Sequence, residues 1–174
     1  NRRMFCPRGK MLGGSSSHNG MVHVRGNAMD FENWAQKDLK SWNYNNVLPY
    51  FKKSESISGL DSKYRSDNGP LKLSRSSEGN VLSKVYLEAA EQAGYEINND
   101  MNGYKQEGFG LMDTTIFGGK RQSTSVTYLH PIIKRKNLKV ITKTVVHKIM
   151  IKNNKAVGVE SVSYTHLTLP TMIR

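Results

Sequence analysis

Residues Gly9 to Gly20 read GKMLGGSSSHNG, with four glycines, three consecutive serines, an imidazole and a carboxamide in one short run. Adjacent glycines, Gly13 and Gly14, let backbone N–H groups approach a ligand with no Cβ in the way, and the hydroxyls of Ser15 and Ser16 add donors beside them. A concavity of that kind suits a pyrophosphate or a flat polar ring. A flexible linker has the same composition. The apolar, strand-like MVHVRG follows at once, from Met21 to Gly26, and sets the glycines inside a fold.

Other motifs fail on chemistry. A P-loop needs its lysine after the last glycine, and Lys10 precedes Gly13 and Gly14. The stretch NNDMNG, Asn98 to Gly103, imitates the opening of a calcium loop, but its twelfth position is Phe109 where a bidentate glutamate is required, so it reads as a plain loop. No paired CxxC, no helical histidine pair with a glutamate and no glycine-framed serine elbow can be written. His23 reads as structural, and Arg25, Lys120 and Arg121 read as isolated basic side chains facing solvent. The basic run Lys134 to Lys139 lacks interleaved aromatics and reads as a solvated helix end, not a nucleic-acid patch. Trp34, Trp42, Tyr44 and Phe51 read as packing residues of a core or lid.

The elements that must carry these residues alternate along the chain. Phe31 with Trp34, and Val47 and Leu48 with Phe51, recur at helical spacing, which predicts helices over Ala28 to Gln36 and Asn43 to Ser56. Gly59 to Pro70 is a polar excursion before a short strand, Leu71 to Ser74. Leu82 to Gly94 predicts a helix closed by a left-handed glycine. Thr124 to Lys136 predicts a Ser- or Thr-capped helix that Pro131 kinks or ends. LKVITK, Leu138 to Lys143, predicts a strand, and the segment after it a hairpin turning at Asn153-Asn154-Lys155. The fold class is mixed α and β.

Bulk properties bound the partners. The 174 residues suffice for one domain or a piece of a larger one, and a net charge of +12 favours an anionic partner of some kind. No apolar run is long enough for a transmembrane segment. The single cysteine, Cys6, excludes an internal disulfide. The texture changes after Glu160: Ser161 to Arg174 has no Lys, Asp, Glu or Gly. It resembles translated sequencing adapter, so residues 161–174 are expected to be a non-native tail and the rest an internal fragment.

The run Pro7 to Asn27, with DFENW, SWNYNNVLPYFKKSE, LEAAEQAGYEINNDMNGYKQEGFG, GKRQSTSVTYLHPI and NLKVITKTVVHKI, resembles the glucose-methanol-choline (GMC) family of FAD-dependent oxidoreductases, in particular its insect glucose dehydrogenase-like branch. The resemblance covers Arg2 to Glu160. It implies part of a Rossmann-like FAD-binding domain with an inserted helical, substrate-side region: residues 1–26 as an FAD-binding segment, 27–118 as lid and insertion, and 119–160 as the return to the FAD-binding domain. It assigns cofactor contact to Gly9, Lys10, Leu12, Gly13, Gly14, Ser15, Ser16, Asn19 and Gly20, and an adenine contact to the backbone of Val146. His18 stands where some choline oxidase-type members attach the flavin covalently, so it is expected to be bonded to the flavin or hydrogen-bonded beside it, the plainer alternative being a partly buried histidine satisfied by a carbonyl.

The implied reaction passes a hydride from a small-molecule alcohol, a sugar or choline-like hydroxyl, to FAD and then to a quinone-like acceptor or oxygen, without nucleic acid. A catalytically inactive flavin-fold binding protein is the alternative. Neither His130 nor His147 lies in a matching motif, so no catalytic base is named, and this part alone is expected to be inactive. The compartment is left open, the resemblance leaning towards secretion.

Overall fold

The computed structural model describes residues 2–76, 80–163 and 171–173. The chain divides into two compact units, Asn1–Pro131 and Ile132–Arg174.

In the first unit, helix α1 (Ala28–Gln36) starts where Asn27 and Asp30 cap each other's ends: Met29 N–H donates to Asn27 Oδ1 at 2.9 Å and Asn27 N–H to Asp30 Oδ2 at 3.2 Å. Helix α2 (Tyr44–Ser54) is capped by Asn43, which accepts from Asn46 N–H at 3.0 Å. Their aromatic residues pack largely edge to face, Phe31 lying 5.5 Å from Trp34 and 5.6 Å from Phe51, and Trp34 5.8 Å from Trp42. The packing is as expected, but Trp34 and Trp42 stay 46% and 49% exposed, so the cluster is the wall of an open groove of about 620 Å³ and not a closed core. Helix α3 (Val81–Gln92), capped by Asn80, ends at Gly94 with φ +82°, the left-handed glycine its sequence called for.

The strands are short. β1 (Val22–His23) and β4 (Ser74–Arg75) flank β5 (Asp113–Thr114) in an antiparallel sheet, with His23 and Arg75 both opposite Asp113. β2 (Glu55–Ser56) pairs in parallel with β3 (Leu71–Lys72). β6 (Ile116–Phe117) and β7 (Lys120–Arg121) form a hairpin whose turn, Gly118-Gly119, has φ +56° and +70°. Among the described residues the buried apolar side chains are Tyr64, Leu73 and Ala90, while the large side chains with essentially no exposure are charged, Glu55 and Arg65.

Several sequence expectations are corrected here. Leu71 to Ser74 is two strand pieces, because the chain changes partner at the buried Leu73, β3 pairing with β2 and β4 with β5. MVHVRG is strand only at Val22–His23, since its partner β5 is equally short. Thr124 to Lys136 is a π-helical turn, Ser125–Leu129, followed by a 3₁₀ turn, His130–Ile132; Thr124 makes no side-chain cap, its hydroxyl being committed elsewhere, and Pro131 lies in the tighter turn. Arg25 is buried and Arg121 half-buried, where solvent-facing positions were expected.

In the second unit, β8 (Thr144–Lys152) and β9 (Lys155–Ser163) form the expected hairpin, but around the two-residue turn Asn153-Asn154, with φ +50° and +58°. β10 (Thr171–Ile173) pairs antiparallel with β9. LKVITK is not a strand: among the described residues nothing pairs with it, and an apolar run needs a ladder partner to become one. Of the expected non-native tail, residues 164–170 and 174 lie outside the described residues, and 161–163 continue β9.

Candidate functional site

The glycine-serine run folds into a knot. Gly13, at φ +88° and ψ −8°, opens a 3₁₀ turn over Gly14–Ser17. A Cβ on Gly13 would come 2.4 Å from Ser17 Oγ and 3.2 Å from Ser125 Cβ, so the backbone there packs more closely than any side chain permits. Gly14, at φ +53°, faces open space. The hydroxyls expected as ligand donors are partly spent on the knot. Ser16 Oγ donates to Gly13 O and accepts from Thr124 N–H at 3.0 Å. Ser17 Oγ donates to Leu12 O at 2.8 Å. Ser15 Oγ accepts from Gly9 N–H at 3.2 Å, which leaves its own proton to give.

The far end of the knot is held from the β6–β7 hairpin. Arg121 Nη1 donates to Asn19 O at 2.8 Å, Asn19 Oδ1 at 2.7 Å and Ser16 O at 3.2 Å. Met21 N–H also donates to Asn19 Oδ1, at 3.2 Å, and Met21 O accepts from Thr115 N–H at 2.7 Å. Met21 takes φ +63° to do so. Sequence reasoning missed Arg121, Thr115 and Thr124 as holders of this loop; they lie about a hundred residues on, and no local pattern links them to it. Of the candidate site residues, Gly9 and Gly13 to Ser16 are half-buried in the knot, and Lys10, Leu12, His18, Asn19 and Gly20 are exposed along it. His18 is therefore not the partly buried histidine of the plainer alternative. Its ring lies by Gly9, where an added Cβ would come 3.0 Å from Cδ2. Val146, in the second unit, is 53% exposed on β8.

After the knot along the chain, β1 leads into a buried charge cluster of which sequence reading anticipates only a structural His23. Glu55, with no exposure, meets Arg65 Nε at 2.8 Å, Arg25 Nη2 at 2.7 Å and His23 Nε2 at 3.3 Å; the Arg25 contact is an ion pair by distance, the His23 one a close polar contact, and both are out of line for hydrogen bonds. Arg65 continues to Asp113 at 2.7 Å and to Asp100, and Asn102 Nδ2 bonds Asp113 at 3.2 Å. The NNDMNG loop thus supplies Asp100 and Asn102 to an ion network, and among the described residues no acidic and histidine cluster is arranged to hold a metal. Burial by itself works against the Glu55 charge, but the close His23 contact, the Arg65 bond and the Arg25 charge outweigh it and hold the carboxyl at about 2. The same carboxylates push the Arg65 guanidinium above its ordinary value despite burial.

The backbone matches solved flavoenzymes. Pyridoxine 4-oxidase from Mesorbium loti aligns over 95% of this chain and 33% of its own, at a TM-score of 0.86 and 24% identity. Formate oxidase from Aspergillus oryzae RIB40 aligns over 94% and 30%, at 0.78 and 22%. The fold is that of the N-terminal, FAD-binding part of such oxidoreductases. The family described as GMC oxidoreductase matches residues 1–171, and this chain belongs to it. FAD is the cofactor that goes with the family. The chain is 47% identical over 161 residues to human choline dehydrogenase, mitochondrial, covering 92% of this chain and 27% of that protein. It is 48% identical over 159 residues to the oxygen-dependent choline dehydrogenase of Brucella ovis, covering 91% and 29%. The chain thus spans under a third of the length of these relatives. Among the described residues no helix is long and apolar enough to cross a membrane.

Proposed function

We propose that the chain is the cofactor-holding part of a flavoenzyme that oxidises a small choline-like alcohol. The observation that carries the choice of alcohol is the 47% identity, over 92% of this chain, to a protein named choline dehydrogenase. A sugar alcohol has no comparable support. The knot fits an anionic cofactor on structural grounds: Gly14 faces open space with no Cβ in the way, Ser15 retains a free proton, and the Asn19 amide has only Nδ2 left to offer. Gly9, Lys10, Leu12 and Gly20 frame the same loop; the Val146 backbone, in the second unit, is assigned to the adenine by the family resemblance alone.

Bound FAD supplies the hydride acceptor, and the electrons leave to oxygen or a quinone-like acceptor. The exposed His18 ring is free to contact the flavin or carry it; a peptide mass increased by one FAD marks attachment, and an unmodified mass marks contact alone. His130 is engaged with Ser125 Oγ at 3.2 Å, and neither it nor His147 is assigned the hydroxyl proton.

The test is anaerobic titration of the FAD-loaded, full-length protein carrying this chain. Choline is expected to bleach the oxidised flavin band, with glucose ineffective. Bleaching by glucose alone would replace the substrate, and a bound flavin that no alcohol reduces would favour the inactive binding protein.

A further inference from the structure

Among the described residues Arg121 alone grips the glycine-serine knot through three acceptors at once, and there it makes no ion pair. A half-buried guanidinium without a carboxylate is spent on something other than charge neutralisation. Its Nη1 and Met21 N–H both donate to Asn19 Oδ1, at 2.7 and 3.2 Å. A carboxamide whose oxygen receives two donors cannot rotate end for end without setting its NH₂ group against them. The amide is thereby locked, and Nδ2 is the atom it presents. The support is rigid: Arg121 sits in β7, paired with Ile116 across the diglycine turn, and Thr115, the residue before β6, pins Met21 O. One short hairpin thus fixes both ends of the Asn19–Met21 turn.

We propose that Arg121 is a positioning residue that acts through Asn19, fixing its carboxamide so that Nδ2 serves as a hydrogen-bond donor to the bound flavin nucleotide. This rests on the FAD-binding reading of the knot. It assigns to the β6–β7 hairpin a task in cofactor binding that its position in the chain does not reveal.

The test is FAD affinity, read by flavin fluorescence on release, together with the unfolding midpoint, in the full-length protein. R121Q is expected to weaken FAD binding about tenfold or more, the usual effect of losing a charge-assisted bond. In an N19A background the same substitution is expected to cost clearly less, what remains being the Arg121 bonds to the Ser16 and Asn19 carbonyls; an equal loss in both backgrounds would overturn the proposal. N19D keeps an acceptor for Arg121 but removes the donor. It is expected to leave the unfolding midpoint of the FAD-free protein unchanged or raised while lowering FAD affinity about tenfold, and wild-type affinity in N19D would equally refute the assignment. N19D also carries the test if R121Q does not fold. A wild-type protein that bound no FAD would remove the flavin reading itself, a result distinct from tight wild-type binding that ignores these substitutions.

Discussion

Glu55 is wholly buried, yet its ordinary ionisation value of 4.5 is held at about 2, because Arg65, Arg25 and His23 surround it. A carboxyl with a depressed value stabilises the fold fully above 4.5, and that contribution drains away as pH falls towards 2. The wild-type unfolding midpoint is therefore expected to drop through that window, and the corresponding part of the drop to vanish in E55Q. At neutral pH, E55Q leaves the buried Arg25 guanidinium without a carboxylate, Arg65 keeping Asp113 and Asp100, and should cost about 3 kcal/mol, read by urea unfolding. Of this cluster only a structural role for His23 was legible in the sequence. Arg65 sits in what reads as a polar excursion and Arg25 as a solvated cation. Their partners come from segments 10 to 48 residues apart, which only the folded chain brings together.

At the scale of the element, the knot and the two hairpins depend on left-handed backbone. Gly13 needs both its φ of +88° and its missing Cβ, whereas Gly14 needs only its φ of +53°. G13A should cost about 2 kcal/mol and lower FAD affinity. G14A should cost about 1 kcal/mol; comparable losses in the two variants would contradict the close packing at Gly13. In the second unit, N154G replaces an asparagine at φ +58° in a two-residue turn and should raise the unfolding midpoint by a few tenths of a kcal/mol equivalent. Helices α1, α2 and α3 were readable to within about two residues, because caps and apolar spacing act locally. The π-helical turn at Ser125–Leu129 and the missing strand at LKVITK were not, because they follow from what Ser123, Ser125 and Thr124 bond to and from an absent ladder partner.

For the molecule as a whole, the apolar side chains that stay exposed are telling. Trp34, Trp42 and Tyr50 line one groove, and Val145, Val146, Ile149 and Ile151 are bare along β8 in the second unit. Surfaces of this kind ordinarily lie against other protein or a ligand. Residues 1–174 expressed alone should bind a dye such as ANS strongly and unfold without a sharp transition, whereas the full-length flavoprotein should do neither. Sequence by itself determined the mixed fold class, the three helices, the existence of the β8–β9 hairpin and the glycine-serine run as a place for close backbone approach, since each depends on short-range sterics, capping and periodicity. Tertiary structure alone decided which serines are spent inside the knot, that the distant Arg121 joins Met21 in holding Asn19, and that among the described residues the best-buried side chains are charged. Those outcomes come from partners distant in the chain, whose meeting no local pattern encodes.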